Sequence, residues 1–112
     1  MKAPAMTPPE DVFRIVSLPE WAEAQAEGAY HGADHDRRDG FLHLSARHQV
    51  AGTLERHYAG RPDLLILTIA VARLPSPLRW EPSRDEKLFP HLYDSLPVAA
   101  VIAVTGADQW QG

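Results

Sequence analysis

Residues 64–71 read Leu64-Leu65-Ile66-Leu67-Thr68-Ile69-Ala70-Val71. The run is almost wholly apolar, so it reads as a strand covered on both faces, the centre of a sheet. It is far shorter than the roughly 20 residues that span a bilayer. Upstream, Val12–Val16 is a short β-branched and aromatic strand. Ser17-Leu18-Pro19-Glu20 follows as a helix start. Ser17 can cap, Glu20 sits three residues later, and proline is tolerated in the first turn. That helix runs to about Glu27 and stops at Gly28. The stretch Ala29–Gly40 shows no periodicity and reads as a long loop. Phe41–Leu44 is a strand, and Ser45 then caps a second helix from Ala46 to about Ala59, ended by Gly60. Val50, Leu54 and Tyr58 form its core-facing stripe. Downstream, Leu78–Glu81 and Leu88–Tyr93 are shorter strands joined by a polar turn at Ser83–Lys87. Val98–Val104 is a last buried strand. The layout is α+β rather than repeating βαβ: two helices from the first half packed on a split mixed β-sheet.

The chain has 112 residues, the size of one domain, with 45% hydrophobic side chains. Residues 1–9, with three prolines and one charge, read as a disordered tail before a single domain at 10–112. No signal-peptide run is present, and a cytoplasmic protein with no membrane association is expected. Eleven basic against fifteen acidic residues leave a net charge of −4, which lacks the basic footprint of a nucleic-acid binder. The absence of cysteine excludes a disulfide framework, a thiol nucleophile and a cysteine metal site. Six histidines remain the unusual count.

Alternation along a strand gives those histidines neighbours. In Phe41-Leu42-His43-Leu44-Ser45, the aromatic, the imidazole and the hydroxyl share one face, and the leucines face the core. In Phe89-Pro90-His91-Leu92-Tyr93 the same trio recurs, and Pro90 suggests an edge strand or an irregular stretch. In Arg79-Trp80-Glu81, Arg79 and Glu81 share a face, with Glu81 as base or as the acceptor that orients an imidazole. Taken singly, each has an ordinary explanation in a structural histidine, a cap or a surface ion pair. Together they describe a polar site with aromatic walls, suited to a planar polar ligand such as a nucleotide. His43, Glu81 and His91 are the catalytic candidates. Arg37, Phe41, Ser45, Thr53, Arg79, Phe89 and Tyr93 are the ligand-binding candidates. Arg37, from the run Asp36-Arg37-Arg38-Asp39, would fold over the site and pair with phosphate. Gln49 and Thr53 are placed to reach the strand of His43. His31 and His35 have a metal-like spacing, but the glycines and charges around them read as a solvated loop. No metal is expected. His48 and His57 read as helix surface.

Asp39-Gly40-Phe41-Leu42-His43-Leu44-Ser45, Gln49, Thr53, Leu78-Arg79-Trp80-Glu81 and Phe89-Pro90-His91-Leu92-Tyr93 resemble, in order and spacing, the bacterial domain-of-unknown-function 952 family. The resemblance covers about Val12 to Val104 and departs at Asp94, where a small residue is expected. It implies a fold related to ADP-ribosyltransferases and RNA 2′-phosphotransferases, with NAD or an ADP-ribosylated intermediate in a cleft between two small sheets. It sets His43 against the nicotinamide ribose and matches Glu81 to a catalytic glutamate. The arginines of the RNA enzymes have no equivalent, which weakens an RNA-repair reading. A transferase-like enzyme binding NAD or ADP-ribose is the first reading. A non-catalytic module for a small molecule or peptide is the second. Glutathione S-transferase-like activity, a label carried by some relatives, is the third, although no thioredoxin-like βαβ pattern supports it. Oligomeric state is left open.

Overall fold

The computed structural model describes residues 9–83 and 86–112. Its backbone is organised by the apolar run. Strand β4 (Leu64–Ala70) lies between β1 (Asp11–Ser17) and β8 (Val101–Gly106) in a three-stranded sheet. β1 pairs with β4 antiparallel, with Arg14 opposite Leu67 and Ile15 opposite Ile66. Alternation then divides the apolar side chains between two layers. Val12, Val16, Leu67 and Ile69 join the larger core, with Trp21 and Ala24 from helix α1 (Leu18–Glu27). Phe13, Ile15, Leu64 and Ile66 join a smaller core with Val50. The expectation of a central strand covered on both faces holds.

Helix α1 begins as its sequence predicts. Ser17 accepts a hydrogen bond from the Glu20 amide, and the Glu20 carboxylate accepts one from the Ser17 amide. A two-stranded pair joins β2 (Ala29–Tyr30) to β7 (Leu96–Pro97). A second three-stranded sheet has the order β3 (Leu42–His43), β6 (Leu88–Leu92), β5 (Arg79–Pro82). Two reciprocal backbone bonds between Phe13 and Ser45, both 2.8 Å, tie the chain just after β3 to β1. The fold is a single α+β domain with three helices and antiparallel sheets. No described helix is long and apolar enough to cross a membrane.

Several expectations are corrected. The sheets are not mixed: every described strand pair is antiparallel. The helices link strands of different sheets, so none makes the crossover that parallel neighbours require. The expected loop 29–40 contains β2 and a third helix, α2 (Asp34–Asp39). Ser45 is not a cap. It is buried, and Gln49 instead closes the turn by accepting from the Ala46 amide. A 3-10 turn at Arg47–Gln49 then leads into α3 (Val50–His57), shorter at both ends than expected. The last strand is an edge, not buried: Ile102 is 48% and Val104 44% exposed.

β6 is central rather than an edge despite Pro90. The Pro90 carbonyl accepts from the Leu44 amide, so its missing N–H falls on the same side, beyond the end of two-residue β3. The expected tail lies outside the described residues except for Pro9, as do positions 84 and 85 of the expected turn at Ser83–Lys87.

Candidate functional site

The site is built on a charge placed inside an apolar strand. Arg14 shares its face of β1 with Val12 and Val16, and is 3% exposed. Its guanidinium has five N–H donors, and all five are used. Nε donates to the Ile15 carbonyl. Nη1 donates to Asp36 Oδ1 at 2.7 Å and to the His43 carbonyl. Nη2 donates to Asp36 Oδ2 at 2.8 Å and to the Tyr30 hydroxyl. Tyr30 passes its own hydrogen to Glu20. Burial opposes charge on Asp36. Hydrogen bonds from His43 and Arg14 outweigh it and hold the carboxyl well below the usual carboxylate range.

Asp36 in turn fixes His43. It accepts from the His43 amide at 2.9 Å and faces His43 Nδ1 at 2.8 Å. The other ring nitrogen faces Asp39 Oδ2 at 2.9 Å. Helix α2 thus brackets the imidazole between two carboxylates one turn apart. Both of its nitrogens are taken.

His91 lies opposite His43 in the β3–β6 register, with the ring centroids 5.5 Å apart. It is 3% exposed. Its Nδ1 is 2.9 Å from Glu81 Oε1, and the Tyr93 hydroxyl donates to the same oxygen at 2.7 Å. Hydrogen bonds from Tyr93 and His91 hold the Glu81 carboxyl below its ordinary value, and the same contact raises the Tyr93 phenol. Phe41 stacks on His91 with centroids 4.1 Å apart. His91 Nε2 has no hydrogen-bond partner among the described residues.

A cleft of about 480 Å³ opens beside this pair. His43, His91, Ser45, Thr53 and Phe89 are among the residues that line it, and Arg38 and Arg61 add cationic side chains. Ser45 Oγ and Thr53 Oγ1 are 3.5 Å apart, so the expected approach of Thr53 to the histidine strand is observed. Gln49 reaches the neighbouring strand instead, donating to the Leu88 carbonyl at 2.7 Å.

Other expected residues lie elsewhere. Phe41 and Tyr93 line a separate, shallower recess, with Phe41 packed on the histidines and Tyr93 covered by Arg79 at 4.5 Å. Glu81 and Arg79 are not cleft residues; Glu81 reaches the site through His91. Arg37 is also on the shallow recess, held by Asp34 and the Gly32 carbonyl, so Arg38 is the arginine of this run that faces the cleft.

Arg14, Asp36, Arg61 and His57 are not site candidates on sequence; His35 is weighed there only as a metal ligand, and Arg38 only as part of the charge run. An arginine flanked by Phe13 and Ile15 in an apolar strand was the available signal for the first. Nothing in the charge run distinguished Asp36 from Asp34.

His35, Asp36 and His43 place three donor atoms within 4.8 Å of one another. The charge beside that set disfavours a cation. Asp36 already holds a bidentate guanidinium, whose charge would sit beside the ion. Burial lowers the His35 pKa and so favours its neutral ring, despite the attraction of Asp36.

A family model described as protein of unknown function (DUF952) matches residues 15–104. No curated protein matches the chain. A crystal structure of protein CC0527 from Caulobacter crescentus is similar, with 36% identity and a TM-score of 0.80, covering 86% of this chain and 84% of that one. A solution structure of CC0527 gives 36% identity and a TM-score of 0.76, covering 88% and 89%. The extent of the family match, together with these likenesses, shows that the chain belongs to the DUF952 family of proteins of unknown function.

Proposed function

We propose that the cleft binds a phosphorylated nucleotide of the NAD or ADP-ribose type, and that the protein is a transferase-like enzyme related in fold to ADP-ribosyltransferases. The observation that carries this reading is the meeting of His43 and His91, with Ser45 and Thr53, in a cleft that also presents Arg38 and Arg61. Imidazole and hydroxyl groups suit a sugar, the arginines suit phosphate, and Phe89 offers an apolar surface for a ring. Among the described residues the ion pairs of these two arginines are long, 3.6 Å to Asp39 and to Asp63, at exposed positions, and Arg61 also lies over the Tyr58 ring at 5.7 Å. Such pairs are weak and a phosphate would displace them readily.

A non-catalytic binding module would be favoured if the candidate groups lay too far apart to act on one centre. The two imidazoles are ring neighbours, and Glu81 stands behind His91 at 2.9 Å, outside the cleft, a proximity that supports the enzyme reading for the histidines. The described strands form no thioredoxin-like βαβ unit, so the glutathione S-transferase reading gains no support.

The test is thermal unfolding with NAD and with ADP-ribose. A ligand at 100 times its dissociation constant adds about 2.7 kcal/mol to stability. Absence of any shift from either compound at millimolar concentration would reject the proposal.

A further inference from the structure

The geometry points to His91 Nε2 as the acceptor for a hydroxyl group of the bound ligand, so that His91, and not His43, meets a sugar hydroxyl. The inference rests on the nucleotide reading for its substrate class, but its own evidence is the bonding of the two imidazoles.

Each His43 ring nitrogen already faces a carboxylate. Asp36 holds one nitrogen and Asp39 the other, at 2.8 and 2.9 Å. A carboxylate only accepts, so each contact is a hydrogen bond only when that nitrogen carries hydrogen. A ligand could reach His43 only by displacing one of two charged partners. His43 is therefore a positioning residue. Its carbonyl receives Arg14, and its ring packs against Phe41 at 4.6 Å.

His91 is bonded on one side only. Glu81 Oε1 already accepts the Tyr93 hydrogen and faces His91 Nδ1, so Nδ1 must be the donor. When the ring carries one hydrogen, that hydrogen sits on Nδ1 and Nε2 presents a lone pair. Nε2 is buried and without a partner among the described residues, in a side chain that lines the cleft. Glu81, at the opposite nitrogen, is not a cleft residue. A lone pair accepts from O–H or N–H and repels an anion. The phosphate therefore belongs with Arg38 and Arg61, and a hydroxyl-bearing carbon with His91. Glu81 acts by fixing the tautomer, as a positioning residue.

The experiment follows the His91 ring nitrogens by NMR in nitrogen-15-labelled protein. Three probes are titrated: ADP-ribose, ribose 5-phosphate and pyrophosphate. The free protein is expected to carry the hydrogen on Nδ1. Both sugar phosphates are expected to move the Nε2 resonance, and pyrophosphate is not. In His91→Gln, ribose 5-phosphate should bind roughly tenfold more weakly, the order expected for one lost hydrogen bond to a buried acceptor, with pyrophosphate unchanged.

Hydrogen on Nε2 in the free protein, an equal response to pyrophosphate, or no response to any probe would overturn the inference. The two proposals fail separately. If ribose 5-phosphate moves Nε2 and ADP-ribose binds no more tightly, the acceptor role stands and the nucleotide reading falls. If ADP-ribose binds more tightly yet leaves Nε2 unmoved, the reverse holds. Should His91→Gln not fold, the wild-type spectra alone decide.

Discussion

Arg14 and Asp36 form a buried ion pair with every guanidinium hydrogen in use, and that completeness is what makes the charge tolerable in a core. Removing one partner strands the other. Arg14→Met is expected to cost about 3–5 kcal/mol in urea unfolding, and Arg14→Lys much of that, because an ammonium cannot serve five acceptors in a planar fork. The pair also sets an acid limit. The folded Asp36 carboxyl lies below its unfolded value, so its contribution is present above the unfolded pKa and is lost as pH falls. Stability should therefore decline below about pH 4, and Asp36→Asn, though less stable at neutral pH, should show a flatter decline. A flat wild-type profile between pH 5 and 2 would contradict this. His43 and His91 are legible in the sequence as candidates through their aromatic and hydroxyl neighbours at ±2. Asp36 is not legible, because its partner is 22 residues away and nothing local marks it.

At the scale of elements, local chemistry was readable and tertiary dependence was not. Helix α1 carries its own start signal in Ser17 and Glu20, and both hydrogen bonds form. Ser17→Ala should cost about 1 kcal/mol. Helix α2 has six polar residues and no apolar stripe, too short to be stable alone. Asp36 fastens it, accepting from the Ala33 amide at 2.7 Å while it holds Arg14. No periodicity could announce a helix kept by one carboxylate. β8 departs from its sequence pattern for the opposite reason. Its composition is that of a core strand, but it pairs on one side only.

The turn before α2 offers a sharper test. Gly32 has φ +99°, and a Cβ there would lie 2.8 Å from both Asp36 Cβ and Leu42 Cδ2. Gly60, at φ +80°, has open space around the same position. Gly60→Ala should therefore cost only the left-handed penalty of about 1–2 kcal/mol. Gly32→Ala should add a steric cost of about 1–3 kcal/mol and displace Asp36. Equal losses for the two variants in chemical denaturation would mean that the close approach at Gly32 is not maintained.

For the whole molecule, net charge and local charge point in different directions. The chain carries −4, yet the proposed phosphate end of the cleft presents Arg38 and Arg61, drawn from helix α2 and from the turn after α3. Two arginines 23 positions apart in sequence make no local basic run, and the acidic total concealed them. The overall negative charge disfavours long polyanions, while a short ligand that enters the cleft meets mainly the local field. Arg38→Gln and Arg61→Gln should each weaken ADP-ribose binding by about threefold to tenfold while leaving urea stability within about 0.5 kcal/mol, since both side chains are exposed and loosely paired. Their effects should add if the arginines hold separate phosphate oxygens, and should fall short of additive if they share one. Raising salt from about 0.05 M to 0.5 M should weaken wild-type binding more than that of the double variant, because screening acts on the charges that the variant lacks. Titration calorimetry at the two salt concentrations reads all of these terms. Identical salt dependence for wild type and double variant would place the phosphate away from both arginines.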